Sequence, residues 1–220
     1  MKINLPNQIT LGRLLLAILF FVLLSWFDAG KLNSQRWLLQ LCFWIFLIAA
    51  LTDIIDGLLA RMLESVTSFG RILDPVVDKV MVCGAFVLFA SHRFWDETRH
   101  VNVSGVQPWM VIVIVGRELL VSVVRSHAEG EGQAFAAVLI GKLKMFIQSA
   151  TVCVILGQLA WKLDALEPVR SAAIWLTVIV TGLSAIAYVH RARSYLLTTK
   201  ALGGTSASAS GQVPPPGGPA

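Results

Sequence analysis

The sequence predicts an all-α integral membrane protein of six transmembrane helices. Of its 220 residues, 56% are hydrophobic and only 14% are charged, whereas a soluble domain of this size carries about 25% charged residues. Mean hydropathy is +0.72. Long apolar stretches recur near 11–28, 37–60, 75–95, 108–127, 135–161 and 169–190, each long enough to cross a bilayer. No comparable stretch is left for a soluble domain, so residues 1–202 read as one membrane domain.

Met1-Lys2 and the apolar run Leu14 to Leu24 resemble a secretory signal. However, Asn4, Asn7, Gln8 and Arg13 intervene, and no small-x-small cleavage site follows, so the run is expected to be a retained first helix. The second helix ends in the carboxylates Asp53 and Asp56. The third is expected to start at Asp74-Pro75, with Asp capping and Pro in the first turn. The fourth carries Arg117 near mid-segment. The fifth opens on Gly141-Lys142-Leu143-Lys144. After the sixth, residues 203–220 are Gly, Ser, Ala and Pro without periodicity and read as a disordered tail. Cys42, Cys83 and Cys153 lie singly in three apolar segments, without metal or disulfide spacing, and read as packing residues.

Orientation follows from the basic residues. With both termini cytoplasmic, one side collects Lys2, Arg13, Arg61, Arg71, Arg125, Lys142, Lys144, Arg191, Arg193 and Lys200. The other holds Lys31, Arg36, Arg93, Arg99, Lys162 and Arg170. The bias places the N-terminus inside the cytoplasmic membrane. Trp26, Trp37, Trp95, Trp109 and Trp161 fall at helix ends on the outer side, as half of an aromatic belt would. Net charge +5 suits anionic lipid headgroups. The basic residues flank membrane helices rather than forming one soluble face, which argues against nucleic acid as a partner.

Chemistry concentrates in the run D-x2-D-G-x2-A-R-x8-G-x3-D-x3-D, which places Asp53, Asp56, Gly57, Ala60, Arg61, Gly70, Asp74 and Asp78 at fixed offsets. Asp53 and Asp56 stand three apart and Asp74 and Asp78 four apart, so each pair shares a helix face. Carboxylates beside a membrane need a counter-charge, and one arginine cannot balance four of them. Hard divalent cations can, and they commonly bridge substrate phosphates. Paired metals suit phosphoryl-type displacement. Gly57 and Gly70 let a large ligand approach the backbone, and Arg61 offers a planar fork for a phosphate oxygen. A divalent-cation transporter would also use carboxylates. It has no use for an arginine at this spacing, and its site would lie nearer the midplane.

This run resembles the signature of the CDP-alcohol phosphatidyltransferases, with every defining position present. The resemblance implies a six-helix fold, usually a homodimer, with a polar active-site cavity at the cytosolic boundary. It implies attack by an alcohol on the β-phosphorus of a CDP-linked lipid, usually CDP-diacylglycerol, with release of CMP. Asp53, Asp56, Asp74 and Asp78 would hold two Mg²⁺ or Mn²⁺ ions, and Asp78 would accept the proton of the attacking hydroxyl. Gly57, Ala60, Arg61 and Gly70 would receive the cytidine diphosphate, with Asn7 and Thr10 of the N-terminal segment nearby.

For the acceptor, the informative residues lie downstream. An arginine at mid-segment faces a wet cavity or an acidic partner. Glu118 is a poor candidate for that partner, since adjacent helix residues point in different directions. Arg117, Arg125, Lys142 and Lys144 form a candidate pocket for an acceptor that itself bears a phosphate. The R-E-L…R and G-K-x-K…Q pattern, together with Leu5 to Arg13, resembles the branch of the family that uses sn-glycerol 3-phosphate. Met145 replaces a threonine frequent in that branch, and Arg71 stands for a lysine. Inositol phosphate would use a similar pocket, whereas serine and phosphatidylglycerol would make less demand on Arg117 and Lys142.

Overall fold

A computed structural model describes the backbone of residues 5–63, 68–130 and 139–209, and the side chains of 11–52, 77, 79–124, 126 and 143–189. Six helices make up most of it: α1 (Leu5–Ser25), α2 (Arg36–Leu63), α3 (Ser68–Phe89), α4 (Pro108–Gly130), α5 (Leu139–Trp161) and α6 (Glu167–Ala209). Between α3 and α4 sits a two-residue hairpin, β1 (Trp95–Asp96) and β2 (Val101–Asn102), antiparallel with Trp95 opposite Asn102.

Consecutive helices run in opposite directions. The Gln40 amide, early in α2, donates to the Ala160 carbonyl at the end of α5 at 3.5 Å. Along α5 and α6, Thr151 meets Thr177 and Gln148 meets Thr181. α4 and α6 run parallel, since Trp109 stacks near Trp175 and Arg117 reaches Ser184. α1 packs on α2 and α3, α2 on α5, and α6 on both α4 and α5.

The two ends of the bundle differ in kind. At the end holding the hairpin the core is aromatic: Phe20, Phe27, Phe46, Phe86, Phe89 and Phe94 are fully buried. Phe89 and Phe94 lie edge-to-face at 5.3 Å, and Phe27 meets Phe94 at 4.6 Å. Asp28 caps the turn after α1 through the Gly30 amide. The hairpin is tied to the end of α3 because the Asn102 amide and Ser104 hydroxyl both donate to the Phe89 carbonyl, at 2.9 Å each. Arg170 donates from α6 to the Val103 carbonyl at 2.7 Å and to Gln158 at 2.8 Å. Trp26, Trp37, Trp95, Trp109 and Trp161 are all exposed, as is Trp175 beside Trp109.

Outward faces carry large exposed apolar side chains on every helix for which side chains are described, among them Leu15, Ile48, Val87, Ile112, Phe146 and Ile186. Leu143–Trp161 and Asp164–Val189 are long and apolar enough to cross a membrane, and shorter apolar runs cover Leu11–Ser25, Arg36–Thr52 and Lys79–Phe89 among the described residues. Cys42, Cys83 and Cys153 are free thiols.

Two expectations need correction. The third helix starts at Ser68 rather than at Asp74-Pro75, and it ends at Phe89 rather than near 95. Pro75 is therefore not in the first turn. Its ring removes one backbone bond, the one to Arg71, which a helix anchored on both sides tolerates. At the other end, the bonds from Asn102 and Ser104 occupy the Phe89 carbonyl and turn the chain into the hairpin. α6 is described as far as Ala209, past Gly203, although two glycines cost a helix about 1 kcal/mol each.

Candidate active site at the polar end of the bundle

The acidic run is divided between two consecutive helices. Asp53, Asp56, Gly57, Ala60 and Arg61 belong to the last third of α2, and Gly70, Asp74 and Asp78 to the first half of α3. Because α2 and α3 are antiparallel neighbours in sequence, joined through 64–67, both carboxylate pairs fall at the end away from the hairpin. At 1.5 Å rise per residue, Asp53 lies about 25 Å along α2 from Arg36. Arg125 near the end of α4 and Lys142 near the start of α5 belong to the same end, as do Asn7 and Thr10 in the first turns of α1. The side chains of all these residues lie outside the described set, so it is the placement on helices that is observed. Four carboxylates on adjoining helix segments at one end supply an all-oxygen donor set, which fits hard divalent cations.

Arg117 and Lys144 are described, and both are buried, at 6% and 1% exposure. Between them stands Glu118, 8% exposed. Its Oε1 pairs with the Lys144 ammonium and lies 3.4 Å from Arg117 Nη1. Arg117 Nε donates to Ser184 Oγ at 2.8 Å, and its guanidinium lies 5.3 Å from the Tyr188 ring centre. Three helices thus converge on one charged triad: α4 gives Arg117 and Glu118, α5 gives Lys144, and α6 supplies Ser184 and Tyr188. This corrects the expectation that Glu118 is a poor partner for Arg117. Backbone directions differ by about 100° between neighbours, but the arginine stem is long enough to curl back to the adjacent carboxylate.

The triad connects to the acidic end through α3. Lys79, next to Asp78, donates to Ser122 Oγ at 2.7 Å, and that hydroxyl donates to the Glu118 carbonyl at 2.6 Å. Below the triad a polar seam joins α5 to α6, with Gln148 Nε2 to Thr181 Oγ1 at 3.3 Å and Thr151 to Thr177 at 2.8 Å. Arg13 of α1 is also buried, at 2% exposure. Ser122, Ser184 and Tyr188 were not singled out in the sequence, and Glu118 only as a poor partner for Arg117, yet a signal was present. Thr177, Thr181, Ser184 and Tyr188 recur at spacings of four, three and four, one polar stripe along an apolar helix. Lys144, Gln148 and Thr151 form the matching stripe on α5.

The acidic run thus lies on two consecutive helices, a buried triad of two cations and one carboxylate lies on α4 and α5, and the described exterior is apolar. The chain belongs to the CDP-alcohol phosphatidyltransferase family, whose model matches residues 3–183, and it is accordingly a transferase of phospholipid biosynthesis. It is 34% identical over 194 residues to the CDP-diacylglycerol--glycerol-3-phosphate 3-phosphatidyltransferase of Bacillus subtilis (strain 168), covering 86% of this chain and 94% of that protein. Proteins of the same name from Pectobacterium atrosepticum and Haemophilus influenzae are each 34% identical over 202 residues, or 90% of this chain and 99% and 97% of theirs.

Proposed function

We propose that the protein transfers the phosphatidyl group of CDP-diacylglycerol to sn-glycerol 3-phosphate, releasing CMP. The observation that carries the choice of acceptor is the buried pair of cations, Arg117 and Lys144, beside the helices of the acidic run. The two cations share the single carboxylate of Glu118, so the triad itself carries one net positive charge in an apolar bundle, and a phosphorylated acceptor gives that charge a use. The activity of relatives that match along almost their whole length supports the same reading.

Asp53, Asp56, Asp74 and Asp78 would hold two Mg²⁺ or Mn²⁺ ions, which supply neutralisation of the diphosphate and of the charge on departing CMP. Asp78 accepts the proton as the acceptor hydroxyl oxygen forms its bond to the β-phosphorus, and the bond from that phosphorus to the oxygen bridging to CMP breaks. General-base help of this kind is worth about 10²–10⁴-fold. Gly57, Ala60 and Gly70 leave room for cytidine and diphosphate, Arg61 holds a phosphate oxygen, and Asn7 and Thr10 border the nucleotide. Arg117, Arg125, Lys142 and Lys144 receive the acceptor phosphate.

The architecture proposed with it is six membrane spans in residues 1–202, with 203–220 outside the catalytic domain. The exposed apolar faces support insertion, and the polar end opens to the cytosol with both termini on that side of the cytoplasmic membrane. The chain works as a homodimer. The deciding experiment measures CMP release by detergent-purified protein from CDP-diacylglycerol with Mg²⁺ or Mn²⁺. Glycerol 3-phosphate, inositol phosphate, serine and phosphatidylglycerol are offered one at a time, with Asp78→Asn as control. Turnover with glycerol 3-phosphate that disappears in the variant is expected, whereas turnover only with another acceptor overturns the acceptor assignment.

A further inference from the structure

We infer that Glu118 is a positioning residue of the acceptor pocket, holding Lys144 and Arg117 where an incoming phosphate meets them. The inference rests on the proposed acceptor reading and deepens it. Lysine is a compact charge on a four-carbon stem and has little orientation of its own. At 1% exposure Lys144 is enclosed, and the partner described for it is the Glu118 carboxylate. Arg117 is oriented from the other side by Ser184 and Tyr188, and its Nη1 lies 3.4 Å from the same Oε1. Two cations this close repel each other, and one carboxylate between them removes that repulsion while leaving the triad net positive. A phosphate therefore still meets a positive site.

Glu118 also ties this pocket to the acidic run. Its backbone carbonyl accepts from Ser122, whose hydroxyl accepts from Lys79 of α3, one position after Asp78. Lys79 thus holds α3 to the turn of α4 that carries Glu118, through Ser122. Neither link was apparent from the spacing of the basic residues.

The test is steady-state kinetics with each substrate varied in turn. Glu118→Gln keeps the shape and removes the charge. It is expected to raise KM for glycerol 3-phosphate at least about tenfold, as loss of one member of a buried charge pair does, with KM for CDP-diacylglycerol unchanged. Glu118→Asp, which keeps a carboxylate, should fall between Gln and wild type. In the double variant Glu118→Gln/Lys144→Gln the rise should be smaller than the product of the two single rises, because Glu118 acts in part through Lys144. An acceptor KM that stays put or falls in Glu118→Gln overturns the proposal, and so does an equal rise for both substrates. Should Glu118→Gln alone fail to fold, the double variant, which leaves neither charge unpaired, is expected to fold with a raised acceptor KM; a wild-type value there also overturns it. Failure of the underlying reading looks different: Lys144→Gln and Arg117→Lys would both leave the glycerol 3-phosphate KM at its wild-type value.

Discussion

Among the described glycines, Gly84 on α3 is the one where a β-carbon would crowd a neighbouring helix most. A β-carbon there would stand 2.5 Å from both Cε1 and Cζ of Phe21 on α1, where carbon atoms normally rest about 3.5–4.0 Å apart. Gly84→Ala therefore requires the Phe21 ring to retreat by about 1 Å. The ring is half-buried and lies edge-on to Phe20 at 5.6 Å with planes 61° apart, so its retreat gives up packing against the core. Overpacking of this kind costs about 1–3 kcal/mol, while alanine returns up to about 1 kcal/mol in helix propensity. At about 2–4 °C per kcal/mol for a domain of this size, the midpoint of heat inactivation should fall by a few degrees. Phe21→Leu shortens the obstructing side chain, so in that background only the propensity gain remains. Gly84→Ala should then be neutral or stabilising. The assay is residual CMP release after stepped heating of the four proteins of this double-mutant cycle. An identical cost for Gly84→Ala in both backgrounds would refute the contact as its cause.

Other outcomes are expected at the two ends of the bundle. Arg117→Lys keeps the charge but loses the planar fork that reaches Ser184 while stacking on Tyr188; hydrogen bonds of charged groups contribute about 1.5–3 kcal/mol, so the acceptor KM should rise roughly ten- to a hundredfold, and an unchanged value would exclude Arg117 from the pocket. Arg170→Ala strands the Val103 carbonyl and Gln158, and should lower stability by about 1–3 kcal/mol with little change in either KM, as read by heat inactivation beside steady-state kinetics.

Most of the bundle was legible because six apolar runs and their punctuation carry most of the architecture. The family was legible for a different reason: fixed offsets of carboxylate, glycine and arginine form a signature that few unrelated sequences match by accident. The boundaries of α3 were not. Asp74-Pro75 is a strong local start signal, but a helix already running from Ser68 overrides it, since one lost backbone bond is cheaper than ending the helix. Nor was the hairpin visible, since Asn102 and Ser104 act through a carbonyl thirteen and fifteen positions away. Glu118 was misjudged by applying a rule about backbone direction to a side chain as long as arginine. Arg117 and Lys144 were found as isolated residues, and their shared carboxylate was legible only once the fold had brought Glu118 of α4 to Lys144 of α5.

The aromatic end of the bundle has an electrical consequence. A bilayer under 100 mV sets about 2.3 kcal/mol on each elementary charge that crosses it. Any bundle that gathers carboxylates, cations and phosphates at one end is a partial conduction path. Here six buried phenyl rings fill the core at the other end, from α1 and the turn after it, α2, α3 and the turn after α3, and none of them carries a group that could relay a proton or hydrate an ion. In the membrane-spanning arrangement proposed above, those rings would act as the dielectric of the molecule and let a charged reaction centre sit in an energised membrane without discharging it.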